Sequence, residues 1–314
     1  MTRVDPGWLA LRGPADFRAR TECAAGLAEA LGRWLCRRRP ADPARLVDVG
    51  AGTGAGAAWL RPRLGLPLER QRWWLVDHDP DLLARAEPVA QGWAVPVVAD
   101  LAQPVGVPVV ADLAQPVGVP AAADLAVPPA ADVYVPAVAD LDVPVGQTVD
   151  AVTCQALLDL LTPREVHALV GPAVDSQAAV LAGLTVTGRV DLRPVHPADE
   201  LVGEAFNAHQ RRADRLGPDA GEFVADLLRD RDYAVTVVAT PWCLREPDRE
   251  LAEAWLCGRA EAAVEQQPRD AARIEAWLAD RLSWARSGRL DAEIGHVDVL
   301  GLPPSTGSGP ARVR

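Results

Sequence analysis

Three glycines alternate with small residues at Gly50, Gly52 and Gly54, two residues after Asp48, in the run LVDVGAGTGAG at 46–56. A hydrophobic strand ending in such a run must turn tightly. Glycine takes the positive φ of that turn without steric penalty and lets a ligand approach bare backbone. The free N–H groups of the turn and of the following helix favour a carboxylate or phosphate. An ordinary strand-to-helix loop also contains glycines, but three alternating ones behind an acidic strand residue exceed what a plain loop needs. A second acid, Asp77, closes the next apolar run 27 residues after Gly50. A carboxylate at that strand end can accept bonds from both hydroxyls of a ribose.

Further candidates lie downstream. Cys154 and Gln155 end an apolar run, TVDAVTCQ at 148–155, and Cys154 read on its own is a small packing residue. Between two later strands, TGRVDLRPVHPADELVGEAFNAHQRR concentrates Asn207, His209, Gln210, Arg211 and Arg212 beside Phe206 on a predicted helix. His209 is suited to take a proton from a hydroxyl or amine, and an arginine such as Arg212 to clamp an acidic group. A solvated helix face explains the same cluster. His196 lies among prolines in a loop, His167 and His296 read as structural, and Trp255, Trp277 and Trp284 fall on helical stripes that read as core.

The elements that would position these residues follow from the periodicity. An amphipathic helix is predicted over 15–38, with Phe17, Leu27, Leu31, Trp34 and Leu35 on its stripe and Arg37 to Arg39 closing it. Strands are predicted at 45–50, 72–77, 148–155, 178–187, 233–240 and 296–302. Helices are predicted between them from Ala55 to Arg63, after the turn HDPD to about Ala90, from Pro163 to Val170 and over EFVADLLRDR. Two more helical patterns, LAEAWLCGRAEAAVEQQ and RDAARIEAWLADRLSWAR, form a hairpin within 241–292. Strands alternating with helices imply a doubly wound α/β fold whose mostly parallel sheet is covered on both faces. The expected organisation is an N-terminal helical segment over 1–44, one α/β domain over 45–302 and a disordered tail over 303–314.

A twelve-residue unit, VPVVADLAQPVG at 95–106, recurs unchanged at 107–118, degraded at 119–130 and as VPAVADLDVPVG at 135–146. Two prolines per unit and only about four units indicate an insertion loop rather than a solenoid. Asp100 and Asp140 stand in the same ADL context, so either can supply a single acid to a site.

Composition bounds the function. The 314 residues carry a net charge of −11, which opposes attraction to phosphate backbones and disfavours nucleic acid as a partner. All basic residues are arginine. No run reaches the roughly 18 apolar residues of a membrane span, and the N-terminal residues lack a signal-peptide core, so a cytoplasmic protein is expected. The spacing of Cys23, Cys36, Cys154, Cys243 and Cys257 fits neither a zinc site nor a disulfide framework, and no metal is expected.

These motifs together resemble the class I S-adenosylmethionine-dependent methyltransferases, by motif over about 45–190 and by strand order to 302. The family's first motif, an acid followed by GxGxG, matches Asp48, Val49, Gly50, Ala51, Gly52, Thr53 and Gly54. Its second matches Val76, Asp77, His78, Asp79 and Pro80; its third, Asp100 with Leu101 or Asp140 with Leu141; its fourth, VDAVTCQALLDLL at 149–161. The resemblance implies a seven-stranded Rossmann-like sheet with an antiparallel last strand and S-adenosylmethionine as cofactor. It places the methionine portion at Gly50, Ala51, Gly52 and Gly54, the ribose at Asp77, the adenosine beside His78, the adenine amine at one repeat Asp, and Cys154 near the methionine part. The implied acceptor is a small molecule, with Asn207, His209 and Arg212 as substrate candidates and His209 as the candidate catalytic base.

The chain departs from the family in the repeat and in the hairpin before the last strand, which suggests a substrate cover. A nicotinamide-dependent oxidoreductase is the alternative for the same turn, since GxGxxA fits Gly50, Gly52 and Ala55, but a proton-relay Tyr or Lys is missing: the sequence has no Lys, and its tyrosines are Tyr134 and Tyr233. A catalytically inactive methyltransferase fold that binds the cofactor or a protein is a third reading. The GK[ST] of a P-loop is absent.

Overall fold

The computed structural model describes residues 5–99 and 149–304. The chain enters its first helix at Asp5, whose carboxylate accepts from the Gly7 N–H at 2.9 Å, and Pro6 takes the first helical position, where no amide hydrogen is needed. Two helices, α1 (Pro6–Cys23) and α2 (Ala25–Arg38), therefore stand where one was expected over 15–38. α1 starts before residue 15 and runs through Gly13 and Pro14, and Phe17 is exposed rather than on a core stripe.

Among the described residues the eight strands are β1 (Ala44–Val49), β2 (Gln71–Asp77), β3 (Ala94–Val98), β4 (Ala151–Gln155), β5 (Ala179–Arg193), β6 (Ala234–Ala239), β7 (Trp242–Leu244) and β8 (Asp291–Leu302). They form one sheet in the order β3-β2-β1-β4-β5-β8-β6, with β7 also paired to β8. The first five strands run parallel, and β8 is antiparallel to β5, β6 and β7. The doubly wound, mostly parallel sheet with its antiparallel last strand is thus the fold, with eight strands in place of seven. β7 has only three residues and no periodicity to reveal it. β3 carries Pro96, which is tolerated because this is an edge strand.

Helices cover both faces. Val47, Val152, Val180 and Val299 pack with α6 (Pro163–Asp175) and α8 (Ala220–Arg229), while Leu46, Leu75, Leu181 and Leu300 on the other face pack with α2 and α3 (Ala55–Leu60). Two short helices, α4 (Pro80–Ala84) and α5 (Glu87–Ala90), follow β2.

A third apolar core lies at the carboxyl end of the sheet. Here α1 meets α7 (Asp199–Gln210), α9 (Arg249–Gln266) and α10 (Ala271–Arg286), and Ala15, Val202, Leu256 and Trp277 are buried with Leu192 and Ile294. Those last two residues belong to the distal halves of β5 and β8, which stay paired from Val180↔Gly301 out to Arg193↔Asp291 through two register shifts. Such irregularities bend a ribbon out of the plane of its sheet. β5 is 15 residues long, whereas a strand was expected only to 187: the polar run TGRVDLR reads as loop in the sequence. Residues 100–148, which hold most of the repeat with Asp100, Leu101, Asp140 and Leu141, and the tail from 305 lie outside the described residues.

Candidate active site

β1 delivers the chain into a turn in which Gly50, Gly52 and Gly54 all have positive φ, at 64°, 54° and 75°. A Cβ at Gly50 would come 3.0 Å from the Leu157 side chain, and one at Gly54 2.9 Å from Pro88, so the turn admits side chains poorly on steric as well as torsional grounds. The Asp77 carboxylate at the end of β2 braces this turn: Oδ2 accepts from the Gly52 N–H at 2.7 Å, and Oδ1 from the Asp79 N–H at 2.9 Å. His78 Nδ1 lies 3.1 Å from Asp77 Oδ1.

The turn forms the floor of a cavity of about 680 Å³. Gly50, Ala51, Gly52, Asp77 and His78 line it; Asp48, Gly54 and Cys154 do not. Asp48 sits beneath the turn, 1% exposed, accepting from the Thr153 hydroxyl with Oδ1. Burial pushes its carboxyl up to about 6, against the opposing pull of the Thr153 hydrogen bond and Arg20. Cys154 is buried, and desolvation raises its thiol pKa above the usual range.

The loop after β4 supplies the residues between floor and wall. Gln155 lines the cavity with both amide atoms buried and without a hydrogen-bond partner among the described residues. Its side chain occupies space left by two glycines: a Cβ at Gly56 would lie 2.4 Å from Gln155 Cγ, and one at Gly183 2.4 Å from Oε1. Asp159 also faces the cavity with Oδ1 unpartnered among the described residues, and burial pushes its carboxyl up to about 6 while Arg12 and Arg215 pull it down. Buried polar atoms without partners inside a cavity are the groups expected to meet a ligand.

Two of the walls, α1 and the distal β5–β8 ribbon, come from regions whose role the sequence did not disclose. α1 contributes Trp8, Leu9, Arg12, Asp16 and Arg20. Arg12 holds Asp16 at 2.8 and 3.2 Å, and Trp242 Nε1 donates to Asp16 Oδ1 at 2.9 Å. Arg20 is 2% exposed; its Nε donates to Asp298 Oδ2 at 2.9 Å and its guanidinium lies 3.8 Å above the Trp59 ring. Asp298 also accepts from the Leu184 N–H at 2.8 Å and the Thr240 hydroxyl at 2.9 Å, so one buried carboxylate ties α1 to β5 and to the residue after β6. The bent β5–β8 ribbon adds Val186, Val190, Ile294 and His296. Burial, with Arg12 adding to it, lowers the His296 pKa to about 4, so its imidazole is neutral near pH 7.

Helices α7 and α9 close the cavity with Phe206, Gln210, Trp255 and Arg259. Of the polar cluster only Gln210 belongs to this lining; the expected substrate residues Asn207, His209 and Arg212 lie outside it. His209 Nε2 is 3.0 Å from Glu265 Oε2, Arg212 binds Glu265 and Gln266, and Asn207 Nδ2 donates to the Gly188 carbonyl at 3.3 Å. Helical phase explains the difference: Phe206 and Gln210, one turn apart, point at the cavity while the residues between them point elsewhere. Trp255, expected in the core, lines the cavity. His196 contacts Asp280, and His167 packs its ring against Phe223. No helix among the described residues is long and apolar enough to cross a membrane.

No protein-family model matches the sequence, and no curated protein matches it. Solved structures do. A cyclopropane-fatty-acyl-phospholipid synthase-like protein from Lactobacillus casei matches at TM-score 0.47 and 12% identity, over 88% of this chain and 90% of that one. A SAM-dependent methyltransferase from Geobacter sulfurreducens, in complex with S-adenosyl-L-homocysteine, matches at 0.37 and 13%, over 88% and 90%. A phosphoethanolamine N-methyltransferase from Haemonchus contortus matches at 0.37 and 12%; 87% of this chain spans only 52% of that one. Identities this low transfer no residue role.

Proposed function

We propose that this chain transfers a methyl group from S-adenosylmethionine to a small molecule held between the sheet and the α7–α9 helices. The observation that carries the reading is a convergence in one cavity: a glycine turn braced from beneath by Asp77, and beside it the buried, unpartnered amide of Gln155. The turn suits the methionine portion, the Asp77 edge the ribose hydroxyls with His78 beside the adenosine, and Gln155 a polar group of the ligand. A repeat Asp, Asp100 or Asp140, remains the proposed contact to the adenine amine. A cavity of about 680 Å³ falls in the range of small-molecule sites and leaves room for an acceptor as well.

S-adenosylmethionine supplies an electrophilic methyl on a sulfonium, which becomes a neutral thioether when the methyl leaves. The protein's share is to align the acceptor and exclude water. Trp8, Val186, Val190, Phe206 and Trp255 supply apolar walls for that purpose. If the acceptor atom carries a proton, Asp159 is the cavity carboxyl suited to receive it, because a group titrating near 6 is an effective base at neutral pH. His209 is held by Glu265 outside the cavity and is the weaker candidate.

The test is release of S-adenosylhomocysteine from labelled S-adenosylmethionine across a panel of hydroxyl-, amine- and thiol-bearing small molecules. The expected result is acceptor-dependent release that Gln155→Leu reduces. Tight cofactor binding with no release for any acceptor would favour a binding protein instead, and binding of NAD(H) in place of both sulfur compounds would favour an oxidoreductase.

A further inference from the structure

Arg259, in the middle of α9, is 5% exposed and yet has no hydrogen bond or ion pair to any described residue. Its guanidinium carbon lies 4.5 Å from the Phe206 ring centroid and 5.1 Å from that of Trp255, and all three residues line the cavity. Gly203, one turn before Phe206 on α7, faces it: a Cβ there would sit at ordinary contact distance, 3.5 Å, from Nη2. The carboxylate that bears on it electrostatically, Asp199, is already engaged by Arg281 and by Trp277 Nε1 at 2.7 Å. Burial lowers the Arg259 pKa to about 10, so the side chain is charged at neutral pH.

Two aromatic faces compensate only part of the desolvation of a guanidinium, since they satisfy none of its five N–H donors. A buried cation without an anion is costly unless something brings one. Of the other arginines of the cavity wall, Arg12 is bridged to Asp16 and Arg20 to Asp298, so each has an anion beside it, although Arg20 Nη2 has no hydrogen-bond partner among the described residues. Arg189 and Arg215 are exposed, so water satisfies them.

We propose that Arg259, in its Phe206–Trp255 cage, is the acceptor-recognition residue, and that the methyl acceptor is a small molecule with an apolar or aromatic body and an oxyanion, carboxylate or phosphate, which the guanidinium binds. A planar fork with free N–H groups matches such an oxyanion with two parallel hydrogen bonds, and the flanking rings hold the apolar body. The inference deepens the methyl-transfer reading and rests on it for the word acceptor; the binding site itself does not.

The experiment uses the full chain saturated with S-adenosylhomocysteine and follows tryptophan fluorescence, because Trp255 adjoins the site. Benzoate and phenyl phosphate are titrated against benzamide, a neutral isostere of benzoate, on the wild type, Arg259→Met and Arg259→Lys. The expected result is that at least one anion binds wild type about tenfold or more tighter than benzamide. Which of the two anions binds tighter identifies the oxyanion. Arg259→Met should abolish the preference, and Arg259→Lys should retain only part of it, with the affinity for S-adenosylhomocysteine unchanged in both variants. Equal affinity of wild type for anions and benzamide would overturn the proposal, and this comparison needs no variant to fold. A preference surviving in Arg259→Met would overturn it as well. Failure of S-adenosylhomocysteine to bind would instead count against the methyl-transfer reading, and the titrations repeated without it would still decide whether Arg259 selects anions.

Discussion

Asp77 is predicted to be structural and ligand-binding at once, and Asp77→Ala separates the two roles quantitatively. The substitution strips the acceptor from two backbone donors, the N–H groups of Gly52 and Asp79. The Asp79 bond is buried and the Gly52 bond only partly so. A buried donor left unpaired costs about 1–3 kcal/mol and a part-exposed one less, giving about 2–4 kcal/mol together. At roughly 2 °C per kcal/mol for a chain of this size, Tm should fall by about 4–8 °C. Saturating S-adenosylhomocysteine at about 100 times Kd adds about 2.7 kcal/mol to the wild type, and the corresponding rise of about 5 °C should vanish in the variant. Scanning calorimetry with and without ligand reads both effects. A variant melting with the wild type would refute the bracing role, and an undiminished ligand shift would refute the binding role.

Other consequences are open to direct measurement. Gly56→Ala lies in helix α3 at ordinary φ and so gains helix propensity, but its Cβ displaces Gln155; stability should change by less than about 1 kcal/mol while S-adenosylhomocysteine binding weakens, as calorimetric titration would show. Asp298→Ala removes the partner of buried Arg20 together with the acceptor for Leu184 and Thr240, and denaturant unfolding should show a loss of about 3–5 kcal/mol. His296 stays neutral in the fold to about pH 4 and takes up its proton near 6.5 when unfolded. Its contribution is therefore lost as pH falls through that window, by about 2–3 kcal/mol at pH 4.5. Asp48 and Asp159, raised to about 6 from 3.8, act in the opposite sense over 6 to 3.8, so the His296 part is read from the difference between wild type and His296→Phe. Thiol labelling of the native protein should spare buried Cys154, whose thiol pKa is raised, and reach exposed Cys36 and Cys257.

What the sequence disclosed tracks how local the determining physics is. β1, the glycine turn and β2 were legible because a short apolar strand, a glycine run and a strand-end acid are fixed by neighbouring residues alone. Asp77 was placed at its strand end, but not its bonds to Gly52 and Asp79, which depend on how two strands meet. The cavity walls were hidden for the same reason. Trp8, Arg12 and Arg20 lie on a helix whose Asp5–Pro6 start is a usable signal, although the apolar stripe reads only from residue 15. Phe206 and Gln210 sit among polar residues whose helical phase no sequence pattern fixed. Arg259 and Trp255 look like surface and core residues of an ordinary helix, and only the packing of α7 against α9 brings them to one cavity. The long β5–β8 ribbon is held by cross-strand pairing that its polar residues do not advertise.

The most direct test of the account is calorimetric titration of the wild-type protein with S-adenosylmethionine, S-adenosylhomocysteine and NAD(H). Binding of both sulfur compounds, weakened by Asp77→Ala and absent for NAD(H), is the predicted result. No heat from either sulfur compound, or binding of NAD(H) in their place, would contradict the account.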